Sequence, residues 1–543
     1  MKYIAGESRD QITFLPDCIE DYISAENPVR VIDAFVNSLN IDELGFTHST
    51  LKETGRPPYD PRDLLKLYIY GYFNKIRSSR KLMQECGRNV EVFYLLNRLQ
   101  PDFRTIADFR KNNPKAIRKV FKAFVKLCIK LNLYQRELIA IDGSKFRAQN
   151  SDKNCYTAEV LEKKIANIQK NIDEYLSRID AVDKEETLSD EATPEQVKEA
   201  IKELSDRKGK YAQYLNELKE SGETQILTTD PDARRMHSKD GFHCCYNVQT
   251  AVDGGSHMIA EYEVTNKTDV GHLNTVSEKA KEILEVPVIT AAADKGYDSR
   301  RDILSCLMNG TIPNVGMKYD KDERVFTIEH IENEITEEMK NSTDTEDIQK
   351  CLHAGVLPKC YENSTVSVEL QGDEKHVLSC FRKNDDGTVT CPMGNILMKN
   401  RTRGANTIYA SRAACRQCTN KCTVSEYKNV AFGPKTRYVP VIMNRVEGLD
   451  LPKLPSGVKP PNNFKKKTKN QVLIRIRVTK ELMKERMCLS EHPFGTVKWN
   501  DGAHYVLCRG KEKAAAELGL SFLVYNLRRA INMIGMKALI AAI

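Results

Sequence analysis

The chain lacks the features that mark exported and membrane-spanning proteins. Its start, MKYIAGESRD, has no basic end followed by an apolar run, so no signal peptide is expected. No stretch reaches the ~18 uninterrupted apolar residues that a membrane span needs. Its 16 cysteines, without an export signal, indicate reduced thiols rather than disulfides. These absences favour a cytoplasmic protein that does not contact a membrane.

A strong net charge is also absent. The value of +8 over 543 residues is modest and by itself excludes no class of cytosolic protein. The distribution of charge is more informative. Lys459 to Lys484 contains nine Lys or Arg and one acid, whereas Asp320 to Asp347 contains eleven acids and three bases. This asymmetry indicates one surface for a polyanion and another that faces water.

Helical patterns dominate the first 135 residues and recur in an insert. DPRDLLKLYIYGYFNKI has apolar residues at helical spacing, with Asp60 as the expected N-cap and Pro61 in the first turn. Between 157 and 220, two apolar runs with alternating four-three spacing are joined by the capping-box sequence TPEQ. We predict an antiparallel helical hairpin that turns between about 182 and 193.

Two short apolar runs close on an acidic residue. ELIAIDGSKF and VPVITAAAD are predicted to be buried strands that deliver Asp142 and Asp294 at their ends. HCCYNVQTAV and HMIAEYEVT are predicted strands between them, followed by a helix near 270–285. Glu491 lies far downstream in a helical context, and Pro493 predicts a helix start or kink just after it.

These three acids are candidate metal ligands. Magnesium prefers carboxylate oxygens, and two such ions about 4 Å apart serve phosphodiester chemistry. An acid at the end of a strand is also common for purely structural reasons, so position alone leaves both interpretations open. The order of the elements favours the metal site: strand with Asp, two strands, helix, strand with Asp, insertion, and helix with Glu is the layout of an RNase H-like nuclease core.

Longer motifs occur in order over nearly the whole chain, except in the hairpin and in residues 318–470. They are GRPPYDPRDLLKLYIYGY, IRSSRKLMQEC, PDFRTIADFRK, IDGSKFRA, DPDARRM, YNVQTAVD, TNKTDVGHL, ADKGYDS, SEHPFGTVKW and CRGKEKAAAELGLSFLVYNLRRA. Together they resemble the DDE transposases of bacterial insertion sequences. In such relatives two Asp and one Glu bind the catalytic metals, which implies these roles for Asp142, Asp294 and Glu491.

The resemblance implies an α/β fold with an RNase H-like mixed-sheet catalytic core. It also implies an all-helical, InsH-like N-terminal domain. The residues themselves add the inserted hairpin and a second, irregular insertion that has the cysteines for zinc. The expected domains are an N-terminal DNA-binding domain over 1–135, a first core part over 136–317, the insertion over 318–470, and a second core part over 471–543.

The resemblance also implies a function and its partners. The protein would excise an insertion sequence and transfer its strands into target DNA, with Mg²⁺ or Mn²⁺ as cofactor. Double-stranded DNA would be the partner, as terminal inverted repeats and as target. Because two DNA ends must meet, a homodimer on DNA is expected, associated with the bacterial nucleoid.

Relatives carry a basic signature around the Glu: Tyr, Arg, the Glu itself, and then Lys after six intervening residues. Lys498 fits this spacing. Arg486 is one residue too early, because Met487 occupies the usual place, and Lys484 stands at the Tyr position. All three cations would bind phosphate beside the site. Glu485 is a rival for the third acid, although the EHPFG context favours Glu491.

Two further groups of residues are candidates for binding. Lys465, Lys466 and Lys467 would contact DNA or form a solubilising basic linker. Four thiols with knuckle-like spacing would suit a structural zinc ion, with free cysteines in a loop-rich insert as the alternative. These four are Cys391, Cys415, Cys418 and Cys422. Cys380 is an alternative to Cys391.

Two other functions remain open on the sequence alone. One is a nuclease with the same core that has lost strand transfer. The other is a non-catalytic DNA-binding protein that retains the fold. The presence of all three acids argues against a pure binding module, which would not need them.

Overall fold

A computed structural model describes the chain in two compact units. The described residues are 18–49, 57–182, 194–238, 240–317, 322–371, 376–446, 448–464 and 471–543. The first unit takes in Met1–Leu307, Pro313–Asp320 and Thr479–Ile543, and the second takes in Met308–Ile312 and Lys321–Val478. Within these residues, no helix combines the length and the apolar character that crossing a membrane requires.

The N-terminal region of the first unit is helical. Its α-helices are α1 (Val29–Asn37), α2 (Ile41–Leu44), α3 (Pro61–Phe73), α4 (Ser79–Glu85), α5 (Val90–Leu96), α6 (Phe103–Asn112) and α7 (Pro114–Lys130). The start of α3 is the one that the sequence predicts: the Asp60 carboxylate accepts a hydrogen bond from the Arg62 amide at 2.8 Å, with Pro61 in the first turn. Most of α3 is buried.

A mixed six-stranded sheet forms the centre of the first unit. The strands up to residue 315 are β1 (Leu138–Arg147), β2 (Cys155–Tyr156), β3 (Ile226–Leu227), β4 (Arg234–Ser238), β5 (Gly241–Asp253), β6 (Ile259–Thr265), β7 (Ile289–Ala293) and β8 (Thr311–Val315). The sheet order is β4-β5-β1-β7-β8, with β6 also on β5. Strand β1 is antiparallel to β5 and parallel to β7.

The expectation that Asp142 ends its strand is wrong. Asp142 lies inside β1, since the pairing with β5 continues as far as Arg147 opposite Cys245. The pairing with β7, by contrast, stops at Ile141 opposite Ala293. Asp142, the acid that follows the apolar run, therefore marks the point where pairing with β7 stops, and not the end of β1 itself.

The segment between β2 and β3 is a pair of long helices, α8 (Ala158–Val182) and α9 (Pro194–Ser221). The Lys208 ammonium donates to the Gln169 side-chain oxygen, and Leu161 packs with Leu218 near the sheet end of the pair. These contacts show that the two helices are antiparallel. The predicted turn lies outside the described residues, apart from the helix ends.

Helices α10 (Leu273–Leu284) and α11 (Arg300–Met308) complete the connections of the central sheet. The first follows β6 and the second follows β7. Helix α10 packs against β5, β6 and β7. The predicted helix near 270–285 is therefore present.

The second unit differs from the irregular insertion that the sequence predicts. It contains a three-stranded sheet and a six-stranded sheet, with the orders β10-β17-β9 and β15-β14-β13-β12-β11-β16. Its elements are β9 (Glu323–Glu329), α12 (Glu337–Asn341), α13 (Thr345–His353), β10 (Val366–Gln371), β11 (His376–Lys383), β12 (Val389–Thr390), β13 (Ile396–Arg403), β14 (Asn406–Ala410), α14 (Arg412–Gln417), β15 (Val430–Phe432), β16 (Tyr438–Asn444) and β17 (Gln471–Arg477). Strand β13, for example, exposes seven of its eight side chains, and its sequence, ILMKNRTR, lacks the alternation of apolar and polar residues that indicates a half-buried strand.

The boundary expected at residue 471 is also displaced. Strand β17, the run VLIRIRV, pairs with β9 and β10 and buries Val472, Ile474 and Ile476 in the second unit. Its alternation of buried and polar residues is typical of a sheet with one covered face. The chain returns to the first unit at Thr479.

Three C-terminal helices close the first unit: α15 (Lys480–Gly495), α16 (Lys511–Ile534) and α17 (Met536–Ala542). Helix α15 runs through Pro493 and passes into a π-helical turn over Thr496–Asn500, so the predicted helix start after Glu491 is wrong. Helix α16 packs on α7, α3 and β6 and is buried along most of its length.

Candidate active site

The two candidate aspartates are neighbours across parallel strands. Ile141 on β1 stands opposite Ala293 on β7, so Asp142 and Asp294 occupy the next position on each chain. Adjacent strands lie about 4.8 Å apart. Burial raises the pKa of Asp142, and the charge of Asp294 raises it further, while Arg486 and Ser490 lower it. The strand register therefore brings these two predicted site residues together.

Backbone amides and glycines hold both carboxylates. The Gly143 amide donates to Asp142 Oδ1 at 2.8 Å, and the Gly296 amide donates to Asp294 Oδ1 at 2.8 Å. A Cβ atom at Gly143 would overlap the Asp269 carboxylate, and one at Gly296 would stand 2.8 Å from Asp294 Oδ1. Neither glycine tolerates a side chain without displacing a carboxylate.

Helix α15 covers Asp142 with Arg486 and Ser490. The Arg486 Nη1 atom lies 3.5 Å from Asp142 Oδ2, and the Arg486 side chain is only 11% exposed. Ser490, one turn later on the same face, is fully buried. Among the described residues, the Nε and Nη1 atoms of Arg486 find no hydrogen-bond acceptor. Although Arg486 is off the expected spacing, it lies in the site, where its Nη1 atom is ion-paired with Asp142 and its Nε atom has no acceptor among the described residues.

The structure does not join Glu491 to the aspartates by any direct contact. Glu491 is exposed, and it lies about 100° further around α15 than Ser490. Within the described ranges it makes no hydrogen bond or ion pair. The rival Glu485 is also exposed, and its charge acts on His257, opposing the lowering of the His257 pKa by burial. The role of Glu491 remains a prediction.

The basic candidates occupy different places. Lys498 donates from Nζ to the Ser144 hydroxyl at 2.5 Å and to the Lys145 carbonyl at 2.7 Å, and it lies over the Phe146 ring. It is therefore anchored to β1, two residues beyond Asp142. Lys484 is exposed on α15, with no hydrogen bond or ion pair to another described residue. Lys465, Lys466 and Lys467 lie outside the described residues.

Sequence reasoning missed three side chains around the aspartates. The Tyr297 hydroxyl donates to Gln249 Oε1, and Gln249 Nε2 donates to Asp269 Oδ1 at 2.9 Å. Burial raises the pKa of Tyr297, and the charges of Asp269, Asp142 and Asp294 raise it further. Asp269 and Tyr297 stand in the motifs TNKTDVGHL and ADKGYDS, but only the fold reveals their proximity to Asp142.

The candidate zinc ligands line one pocket of the second unit. This pocket of about 30 Å³ is bordered by all four thiols, Cys391, Cys415, Cys418 and Cys422. Burial raises the pKa of Cys422, and the charges of Cys415 and Cys391 raise it further. The alternative ligand Cys380 is buried in β11 and does not line the pocket. The four cysteines that spacing selected therefore border the same pocket.

The side chains at the aspartate site are of the kind that binds a hard divalent ion. Asp142 and Asp294 offer the hard oxygens that Mg²⁺ prefers. The Thr250 hydroxyl, opposite Asp142 on β5, is fully buried and has no hydrogen-bond partner in the described part of the chain. As placed, no three His, Cys, Asp or Glu side chains of the described residues stand close enough together to hold a metal ion.

Comparison with known proteins adds one finding, and it concerns the helical region. Residues 17–112 match the model of the transposase domain family DUF772. No curated protein and no solved structure matches the chain. The matched residues cover α1 to α6 and lie outside the sheet that carries Asp142 and Asp294. The match supports a transposase role for the chain and, in general terms, DNA as its partner.

Proposed function

We propose that the chain is a DDE transposase that cuts the ends of an insertion sequence and joins them to target DNA. The observation that carries this proposal is the juxtaposition of Asp142 and Asp294 by the register of β1 and β7. A pair of adjacent carboxylates on parallel strands suits divalent metals and phosphodiester chemistry. Because Glu491 lies on the helix that covers Asp142, we propose it as the third acid.

An RNase H-like core is part of the same proposal. In its support, β6, β5, β1, β7 and β8 lie side by side in that order, with β5 antiparallel and β7 parallel to β1. Helix α10 connects β6 to β7, and α11 connects β7 to β8. The helical pair and the second unit are proposed to be insertions into this core.

The reaction would use Mg²⁺ or Mn²⁺ held by Asp142, Asp294 and Glu491. The bound ions would activate water for cleavage and then the freed 3′-hydroxyl for attack on target DNA. The chain's own cations would position the DNA. Arg486, ion-paired with Asp142, and Lys498, anchored on β1, are proposed to hold the phosphates flanking the scissile bond. Lys484, exposed on the same helix, would add a further phosphate contact.

Two further proposals concern assembly and the second unit. Because two transposon ends must meet for joining, we propose a homodimer on double-stranded DNA, in the bacterial cytoplasm at the nucleoid. We also propose that the four pocket cysteines hold a structural zinc ion. Thiolates are its preferred ligands, and a bound zinc ion would stabilise the fold of this unit.

The test is cleavage of DNA that carries the native sequences flanking the coding region. Purified protein with Mg²⁺ should nick the ends and join them to a target plasmid, and EDTA should abolish both steps. Cleavage without joining would favour the nuclease alternative. DNA binding without metal-dependent cleavage, from protein whose three acids are intact, would favour the non-catalytic alternative and contradict the proposal.

A further inference from the structure

The sequence contains a single tryptophan, and the fold leaves it exposed. Trp499 is 74% exposed, on the π-helical turn that follows α15. Turns of this type occur frequently at functional sites. The preceding residue is Lys498, which reaches back to β1. An exposed indole beside a proposed phosphate-binding lysine is unusual for a residue type that normally buries most of its surface.

Trp499 belongs to a group of three aromatic rings. Its indole is nearly parallel to the His504 ring, with 17° between the planes and 6.2 Å between the centroids. The Tyr505 ring meets His504 edge-on at 4.9 Å. Both rings are exposed, Tyr505 to 37%. We call Trp499, His504 and Tyr505 the aromatic platform.

Buried contacts hold the platform in place. The Arg77 guanidinium lies over the Tyr505 ring at 4.8 Å and donates to the Gly502 carbonyl at 2.8 Å. Glu517 pairs with Arg77 at 2.7 Å in the interior and accepts the amide of Leu507. Tyr505, fixed in this way at one end of the platform, loses little conformational entropy when a ligand binds.

The platform is also joined to the strand that carries Asp142. The Arg147 amide donates to the His504 carbonyl at 3.1 Å, and the Val506 amide donates to the Arg147 carbonyl at 2.8 Å. Five residue steps of about 3.4 Å each lead from Asp142 to Arg147, so the two sites are about 17 Å apart along β1. A few nucleotides of one DNA strand span this distance.

The charges around the platform select the class of ligand. Lys498 lies between the platform and Asp142, and the exposed Lys75 donates to Asn500 Oδ1 at 3.0 Å. Flat aromatic faces next to cations are the features that bind nucleic acid strands, because each base offers a π-face and each nucleotide a phosphate. A purely apolar partner would not need the cations.

We propose that the aromatic platform stacks an unpaired nucleobase of the DNA strand whose backbone enters the Asp142–Asp294 site. This inference rests on the proposed function, because that function brings DNA to the site. Stacking on Trp499 would hold the strand a fixed distance from the aspartates and would tolerate any base. The base must be unpaired, since the faces of a base inside a duplex are already stacked on its neighbours.

The single tryptophan makes a direct test possible, because the indole fluorescence of the whole chain reports Trp499 alone. Oligonucleotides that differ only in having an unpaired end or a hairpin-closed end are titrated into the protein, while fluorescence anisotropy of a label on the DNA measures binding. The unpaired end should quench the indole emission much more than the closed end at equal occupancy. Binding without quenching overturns this inference alone, whereas the absence of binding overturns the proposed function as well.

Variants separate stacking from other roles. Trp499→Ala should weaken binding of the unpaired-end DNA about 5-fold to 150-fold, the range for loss of one stacked base, and should change binding of the closed duplex little. Trp499→Phe should recover most of the loss. The matched control is Phe242→Ala, another exposed aromatic with a cation over its ring. Equal losses for both DNAs would show that Trp499 does not stack an unpaired base and would overturn the inference. Emission that changes with protein concentration without DNA would instead assign Trp499 to a protein contact.

Discussion

The aspartate pair and the cysteine cluster bring their side chains together by different means. Asp142 and Asp294 are set side by side by the register of two buried strands and held by the amides of Gly143 and Gly296. The cysteines come from loops, turns and a short helix around a small pocket, and each is only partly buried. One arrangement is fixed by the backbone of the core, and the other depends on peripheral segments.

From this difference we expect only one of the two sites to depend on its metal for structure. A pair held by strand register should persist when the ion is absent, because the folded sheet already fixes the positions of both side chains. A set of thiols on irregular segments lacks that support, and a structural zinc ion would itself supply folding energy. The aspartate pair is therefore expected to control activity, and the cysteine cluster to control the stability of the second unit.

The largest effect is expected from replacing the acids. Asp142→Ala, Asp294→Ala or Glu491→Ala should each lower cleavage by at least about a hundredfold, because each removes a proposed metal ligand. DNA affinity and the melting temperature should change little. Asp206→Asn, an exposed acid on α9, is the matched control. If one acid variant cleaves at the wild-type rate, that residue is misassigned.

The cysteines should give an effect on stability instead. Cys418→Ser should lose about one bound zinc ion per chain and make the second unit sensitive to proteases, because the fourth thiolate is missing. Cys360→Ser, in the same unit but outside the pocket, should keep the metal. Elemental analysis and limited proteolysis read out the two properties. Wild-type protein purified without any zinc would contradict the proposal.

A moderate effect is expected from the basic segment that lies between the cysteine cluster and α15 in sequence. Replacing Lys465, Lys466 and Lys467 together should flatten the plot of log affinity against log salt by up to about 3, if all three contact phosphate. Lys498→Ala should flatten it by about 1. Salt titrations decide between a phosphate contact and a solubilising linker. Unchanged slopes in both variants would indicate that DNA runs elsewhere, over the N-terminal helices.

The smallest effect is expected from removing the helical pair. Its seam is self-contained: Leu161 and Leu218 pack with Tyr156 at the base, and most other side chains of α8 and α9 are exposed. Deleting residues 158–221 and closing the gap should leave the central sheet folded. Circular dichroism and thermal melting check this. A core that unfolds on deletion would show that the pair belongs to the main packing.

The elements that the sequence predicts well carry local signals. The start of α3 follows from Asp60 and Pro61, and β7 follows from an apolar run that closes on Asp294. The second unit escaped prediction because strands such as β13 expose most of their side chains and so lack a regular alternation of apolar and polar residues. In that unit, the regular structure depends on pairing between distant segments.

The site shows the same division between local and long-range information. Asp142 and Asp294 are found from sequence, because each follows a buried run. The family spacing places the arginine at position 487, whereas the structure has Arg486 beside Asp142. Spacing along the chain does not fix which face of α15 meets the sheet. Asp269 and Tyr297 carry no signal of their own, and they join the site only through pairing across β1, β5 and β7.

The central claim, that Asp142 and Asp294 hold the metal that cleaves DNA, is tested most directly by changing the softness of the ligand. Asp142→Cys and Asp294→Cys place a thiolate where Mg²⁺ prefers an oxygen, whereas Mn²⁺ accepts sulfur more readily. Each variant should be inactive on native-end DNA with Mg²⁺ and should recover part of its cleavage with Mn²⁺. Equal activity with both ions, or no recovery while Asp206→Asn behaves as wild type, would contradict the claim.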